Sequence, residues 1–585
     1  MKLRNNLYKI MICALPILGV SSACSDFLEE VNPNEMSTES FWKTVDDLDA
    51  GMIAVYNAFK NQNVLAIGDE YNRSDMTWPG WGRPNTSNQY YLQEFNESSG
   101  TPNNKWDALY KGIFRANQVI SASQELIPGL ADEASQERAT IILAQARFFR
   151  GLFYFYLSTG FNNGSVPVFD FVPQNEEDFY QPVRPAEEVV EFYREDLQFA
   201  HENLPAKWTR DIDRGRVTAG AAAAVLGKSH LYQEEYSQAA TYFQEVIETP
   251  EYGYRLTESI GDNFTTTNEL NAESILEINY SLSYKSEISP WAEEQVSNNL
   301  NFTVSPVGGY RAVYPSCWLI MAYKGDKMDV NDPRNYVLEE DGSTRLRTYS
   351  LRTSYSIALV DDLDLEYYGT STAEATAFNN KETGYFRKYS NWETVSNEKD
   401  IVPNLRSGVN VRVIRLADVY LMYAEALLMG EGNVEEAMTY INRVRRRSAL
   451  QLLGMDGSGE FPAAAHDNVT YDVQSLMEHL MYVERPLELS LEGNAIRTID
   501  MRRWGITKQR FEELSQRKYY TENYPFVNSK GQNVTRWSSV LTEEVVGTNI
   551  LIDYQQAASN YIPSAHAYWP IPNSELVANP KLGGE

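Results

Sequence analysis

The sequence predicts a mostly α-helical protein, a tetratricopeptide-like helical scaffold with a loop-rich ligand-binding face. Apolar residues recur at helical spacing in segments between 45 and 248 and again between 414 and 504. In two of those segments small and large residues fall where a tetratricopeptide helix pair needs them. Residues 250–410 break the pattern, with short β-rich runs among many Ser, Thr, Asn and Gly. At 585 residues, 43% of them hydrophobic, the chain can bury a large core and is too long for one ordinary module.

In chain order, residues 25–43 form a polar, extended lead. Thr44 and Asp47 then stand as a capping box, and Leu48, Met52, Val55 and Phe59 make 45–60 an amphipathic helix. Residues 61–104, rich in Asn, Gly and Pro, are expected to be loop. Helices follow over 106–122, 134–158 and 186–203. Residues 219–248 carry Leu226, Gly227, Ala239, Phe243 and Val246 at tetratricopeptide positions. A related pair spans 414–447, with Ala424, Ala437, Ile441 and Val444 around a Gly430-Glu431-Gly432-Asn433 turn in which Asn433 and Glu436 cap the second helix. Long non-repeating segments between these pairs argue against a free-standing solenoid. A β-rich run lies at Ser274–Tyr280, helix returns over 471–504, and 505–585 reads as irregular. The expected division is 1–23, then 24–250, then 251–585.

The first 23 residues read as a secretory signal peptide: Lys2, Arg4 and Lys9, an apolar stretch from Ile10 to Val20 too short to span a bilayer, then Ser21, Ser22 and Ala23. Cys24 follows directly and reads as a lipid-modified first residue. The alternative is ordinary cleavage with a free Cys24, since Ser21 stands where Leu is commonest. Of the three cysteines, Cys13 leaves with the signal and Cys317 is alone, so neither an internal disulfide nor a cysteine metal site is expected. A net charge of −29 opposes nucleic acid and anionic membrane surfaces alike, which leaves the lipid as the membrane attachment.

Several chemical motifs dissolve on inspection. Ala222–Ser229 matches a loose phosphate-loop pattern, yet its alanines favour helix where a glycine-rich loop is required. His201, His230, His466, His479 and His566 share no metal-ligand spacing. No Gly-x-Ser-x-Gly elbow and no cofactor pattern occurs. Glu484, Glu488 and Glu492 recur every four residues and could serve as a glycosidase pair. With Arg485, Arg497, Arg502 and Arg503 nearby, a structural ion-pair network is the better reading. Trp78 and Trp81 stand in a polar loop beside Asp75, Arg83 and Asn85, a group suited to stacking a sugar ring and bonding its hydroxyls. Trp291, Tyr310 and Trp318 are the corresponding candidates in the second loop region.

These segments resemble, in order along the whole mature chain, the SusD/RagB family of outer-membrane nutrient-binding lipoproteins. The resemblance begins at Cys24–Glu29 and Phe41-Trp42. It continues through Trp106, Tyr110, Ala116 and Asn117, the helix from Ala144 to Leu157, and Val166-Pro167. It is strongest at Arg415–Ala426, Glu484-Arg485 through Arg503-Trp504, and Tyr568–Pro572 with Glu575, Asn579 and Pro580. It implies four tetratricopeptide-like units, a surface lipoprotein of the outer membrane, and capture of oligo- or polysaccharide for a SusC-like TonB-dependent barrel, without catalysis. A peptide- or glycoprotein-binding relative and a surface glycoside hydrolase are the alternatives. The binding loops vary within such a family, so the resemblance transfers no ligand residue.

Overall fold

Helix α1, Val45–Phe59, begins with the predicted box: the Thr44 side chain accepts from the Asp47 amide, and Asp47 accepts from the Thr44 amide at 2.8 Å. In this computed structural model residues 41–80, 87–282, 296–309, 312–401 and 405–582 are described. By contacts, Thr44–Glu585 forms one unit and Met1–Lys43 another. Of the latter only 41–43 are described, with the rings of Phe41 and Trp42 edge to face at 4.8 Å. Cys24 lies outside the described residues.

Seven further long helices follow: α2 Gly100–Leu126, α3 Glu133–Gly160, α4 Ala186–Asn203, α5 Ala219–Tyr232, α6 Tyr236–Glu248, α7 Leu416–Glu431 and α8 Val434–Arg447. Each packs on the next, and α1 packs on both α2 and α3. The succession passes from α6 to α7 although residues 249–415 intervene, so two stretches distant in sequence continue one stack. Small residues set the spacing. A Cβ at Gly112 would lie 2.4 Å from Phe153, and one at Gly227 would lie 2.7 Å from Phe243, so α2–α3 and α5–α6 approach too closely for any side chain at those positions. Gly432, with φ 67°, ends α7 in the left-handed conformation, and the Asn433 side chain caps α8 at the Glu436 amide.

The intervening residues form a layer of loops and short antiparallel ladders. Strand β1, Thr77–Pro79, pairs with β3, Val313–Pro315; β2, Ser274–Ile278, pairs with β4, Val411–Arg415. The segment expected to be loop over 61–104 holds two short helices, Gln62–Leu65 and Ile67–Asn72, hinged at Ala66 with φ 47°, and α2 starts six residues earlier than its periodicity suggests. The helix expected over 471–504 is broken. Val473–His479 runs into a π-turn at Leu480–Glu484 and a last turn to Glu488; Leu491, Gly493 and Ala495 then turn left-handed before Ile496–Arg503. The irregular tail contains a helix, Thr507–Leu514, and a long hairpin, β5 Tyr520–Val527 with β6 Asn533–Thr542.

Candidate functional site

The three glutamates with the look of a catalytic group are buried, and each is held by cations from distant parts of the chain. Glu484 meets Arg352, Arg445 at 2.7 Å and His479 at 3.0 Å. Glu488 meets Arg447 and, at 2.7 Å, Arg415. Glu492 meets Arg415 and Lys388, both at 2.6 Å. Glu273, just before β2, joins them through Arg415 at 2.7 Å and Arg447 at 3.0 Å. The network is real, but its cations are not the neighbours that the sequence suggested. Arg485 is taken by Asp500 at 2.7 Å and Asp418 at 3.0 Å, Arg503 by Glu425 and Asp500, and Arg497 by Asp75. Arg502 donates to the carbonyls of Thr159 and Ala567.

Burial alone would raise the carboxyls of Glu484 and Glu488, but the facing arginines outweigh it and hold Glu484 well below, and Glu488 below, the usual range. A glycosidase acid must keep its proton near neutral pH. These carboxyls are arranged to lose theirs. The phosphate-loop look-alike is equally structural: Gly227, Lys228 and Ser229 lie inside α5, and buried Lys228 reaches Asp418 at 3.1 Å. Among the described residues no group of three or more His, Cys, Asp or Glu is placed to hold a metal ion.

Three of the expected ligand residues are interior, which corrects their reading as an exposed platform. Asp75 is fully buried and neutralised by Arg497 at 2.7 Å and Arg510 at 2.9 Å. Trp318 is buried too, its indole N–H donating to the Asp75 carbonyl while Arg510 lies over its ring at 4.3 Å. Trp78 is buried within β1, opposite Tyr314 of β3. Asp75 anchors two arginines of the C-terminal region, and the Trp318 ring closes over that charge, whereas Trp78 is buried by its place in the β1–β3 ladder. Trp81, Arg83, Asn85, Trp291 and Tyr310 lie outside the described residues.

The residues that flank them converge. The Gly80 amide donates to the Ala312 carbonyl at 3.0 Å, extending the β1–β3 ladder. Ala312 in turn donates to the Thr303 carbonyl at 2.8 Å, and Ser281 to the Val296 carbonyl at 2.9 Å. Ala312, bonded to Gly80, lines a cleft of about 330 Å³, to whose wall Tyr280, Asn298, Asn299 and Thr303 also contribute.

That cleft is lined by amides: Asn61, Gln62 and Asn63 from the cap and first turn of the short helix Gln62–Leu65, Asn104 from α2, and Asn298 and Asn299 from the second loop region. Asn298 is fixed, donating to the Val409 carbonyl at 2.9 Å and accepting from the Leu300 amide at 2.7 Å. Asn299 donates to Gln62, which ties the two loop regions together. Asp69 is the one ionisable carboxyl among the described lining residues. Burial raises its pKa, with Glu70 adding to the rise against a hydrogen bond from Thr101. Apart from Asp69, the polar side chains of the described lining are uncharged, and each amide offers both a donor and an acceptor. The amide runs Asn61-Gln62-Asn63 and Asn298-Asn299 were the signal for it in the sequence.

A stack of helix pairs bearing a polar cleft in a loop layer defines a helical-repeat scaffold protein. Residues 272–583 match the SusD family, and residues 26–231 match a second family described as starch-binding and associating with the outer membrane. The chain belongs to the SusD family. It is 25% identical over 464 residues to a SusD-like protein of Bacteroides ovatus, covering 76% of each chain. Its fold is similar to that of a SusD superfamily protein from Bacteroides vulgatus, with TM-score 0.68 at 23% identity over 93% of this chain and 98% of that one. A laminarin-binding SusD-like protein is also similar, with TM-score 0.61 at 24% identity over 80% and 94% of the two chains.

Proposed function

We propose that the protein captures a neutral oligo- or polysaccharide and delivers it to a SusC-like TonB-dependent transporter, held at the outer-membrane surface by lipid on Cys24. The observation that carries this reading is the amide-lined cleft, to whose wall Asn61, Gln62, Asn63, Asn104, Asn298 and Asn299 contribute. Sugar hydroxyls need paired donors and acceptors, and a side-chain amide provides both without charge. Trp81, Trp291 and Tyr310, carried by the adjoining segments, are the proposed stacking rings, with Arg83 and Asn85 as polar partners. Two similar folds support a sugar ligand: one binds laminarin and another was solved with a xylogluco-oligosaccharide. The chain acts by binding, not by hydrolysis, and products shorter than the offered glycan would contradict that.

Calorimetric titration of the mature protein with laminarin, xyloglucan and the anionic polysaccharide alginate tests the reading. A neutral glycan should bind with Kd of roughly 10⁻⁶ to 10⁻³ M, because a shallow cleft desolvates few groups fully. Trp81→Ala should weaken that binding about thirtyfold, the loss typical of an aromatic anchor. Preference for alginate, or neutral-glycan binding that survives both Trp81→Ala and Asn299→Ala, would overturn the assignment of ligand and cleft. The anchor is tested separately, since Cys24→Ala should release the protein from membranes.

A further inference from the structure

The hairpin β5–β6 is held by one face and leaves the other open. On the held face the Tyr524 and Phe526 rings stack at 6.2 Å, and the Arg536 guanidinium lies 5.4 Å from the Phe526 centroid. Arg536 donates to the carbonyls of Ala373 at 2.6 Å and Glu374 at 2.9 Å, and Lys324 donates to the Leu541 carbonyl at 2.8 Å. Side chains alternate along a strand, so Asn523, Pro525 and Val527 of β5 and Asn533, Thr535 and Trp537 of β6 belong to the opposite face. Their exposure agrees: Val527 is 64% and Trp537 60% exposed, and Asn523, Pro525 and Asn533 are exposed as well.

Trp537 stands at a bulge. Tyr524 pairs with Arg536 and Glu522 with Val540, so Asn523 alone opposes Trp537, Ser538 and Ser539. Ser538 takes φ 52°, the left-handed region that serine seldom enters, and its amide donates to Asn523 Oδ1 at 2.9 Å. Bulges re-aim side chains, and this one leaves the largest ring of the hairpin turned to solvent. Each apolar group of the face has a neutral polar one across the ladder: Thr535 opposite Pro525, Asn533 opposite Val527, and Asn523 opposite the Trp537 bulge. The charged residues of the hairpin lie elsewhere. Arg536 is on the held face, Glu522 alternates away from Asn523, and Lys530 is in the turn. Among the described residues the Trp537 indole N–H, the Thr535 hydroxyl, the Asn533 side chain and the Asn523 side-chain N–H groups have no hydrogen-bond partner.

We propose that this face is a second binding site for a neutral sugar chain, with Trp537 as the stacking ring and Asn523, Asn533 and Thr535 as partners for hydroxyls. The inference rests on the neutral-glycan reading above and extends it to a site that shares no described residue with the amide cleft. A sugar ring is mixed in the same way as the face: its C–H side packs on an aromatic ring, while its hydroxyls both donate and accept. A protein partner favours a contiguous apolar core inside a polar rim. Here polar groups separate the apolar ones. An acidic sugar gains nothing, because no cation belongs to the face. The bonds to Ala373, Glu374 and Lys324 pin the hairpin from behind, so the ring is presented on a fixed support and not on a free loop.

Fluorine NMR of the full mature protein labelled with 5-fluorotryptophan reads the site, the Trp537 resonance being the one lost in Trp537→Phe. Laminarin and xyloglucan are the neutral probes and alginate the anionic one. A neutral glycan should shift the Trp537 resonance, half-saturating at roughly 10⁻³ M because one ring and a few hydrogen bonds are engaged. Alginate should not. The shift should persist in Asn299→Ala, whose lesion lies in the cleft, and should need about fivefold more glycan in Thr535→Val, which loses one hydrogen bond. Trp537→Ala, at an exposed ring, should keep the fold and the cleft binding while removing the weaker of two phases in calorimetry. The proposal is overturned by a Trp537 resonance silent to both neutral glycans, by an equal response to alginate, by a response that disappears in Asn299→Ala, or by indifference to Thr535→Val. It is also overturned if the resonance moves with protein concentration before any glycan is added, which would assign the face to a second copy of the chain. A silent Trp537 with laminarin still bound at the cleft rejects this site alone, whereas no neutral-glycan binding anywhere rejects the capture reading as well.

Discussion

The glutamate network and the amide cleft are the two most polar regions described, and they are built on opposite principles. In the network every acid meets a cation, and all the groups are buried: Arg415 alone joins Glu273, Glu488 and Glu492. In the cleft the groups are neutral amides at the wall of an opening, joined to one another sparingly. A charge lattice that satisfies itself has nothing left to offer a ligand, and its value is to fix the distant segments that it joins. Uncharged amides at an opening cost little to leave hydrated and can exchange water for hydroxyls. Sequence proximity to many charged residues is thus a poor sign of a site in this chain, whereas a run of amides is a better one.

The sharpest way to break the comparison is Arg415→Met. Removing one cation leaves three buried carboxylates short of a partner, a change that costs about 3–5 kcal/mol where a buried pair is broken. Urea denaturation should show that loss, or the variant should fail to accumulate as folded protein. A loss below about 1 kcal/mol would mean that the network is dispensable.

Acid comes next in size, and its sign differs between two sets of carboxyls. Burial raises Glu273, but Arg447 and Arg415 outweigh it and lower it to about 2; Glu484 and Glu488 are depressed for the same reason. Their contribution is full above the unfolded value near 4.5 and is lost as pH falls toward 2, on the order of a few kcal/mol. Asp553 is raised by burial to about 6, and Glu269 to about 7. These favour the folded state only once protonated, so stability should rise as pH falls from about 7.5 to 5. Chemical denaturation across pH should therefore show a maximum near pH 5. A curve that climbs steadily from pH 5 to 8 would show that the raised set does not matter.

The smallest stability effect should come from the cleft. Asn63→Ala should alter unfolding free energy by no more than about 0.5 kcal/mol, as for other surface substitutions, while weakening neutral-glycan binding. Equal loss of stability and binding would make the cleft part of the scaffold and erase the distinction drawn here.

The local features were legible in the sequence and the long-range ones were not. The Thr44–Asp47 box, the bounds of α4 and the close contact at Gly227 follow from residues a few positions apart. The arginines that meet Glu484 and Glu488 stand 39 to 132 positions away, so periodicity offered only the nearer, wrong arginines. The supposed helix over 471–504 failed for the same reason, since left-handed turns at Leu491 and Ala495 serve contacts that no local propensity encodes. The hairpin β5–β6 had a usable signal in Asn528–Gly531 that the reading of 505–585 as irregular passed over. Asp75 and Trp318 looked like loop residues because the arginines that meet them come from beyond residue 496, and Trp78 because its strand partner Tyr314 is equally remote.

Asp75 binds Arg497 and Arg510 across 422 and 435 positions, and the Tyr71 hydroxyl bonds the backbone of Leu489 and Glu492 across similar spans. Contacts between such remote parts of a chain slow folding, because the ends of a long loop must meet before any of that contact energy is gained. Until residue 497 has been synthesised Asp75 has no counter-charge, so the early helices can assemble but cannot close over it. A chain broken off before that point would carry a carboxylate without either of these arginines where its core should be.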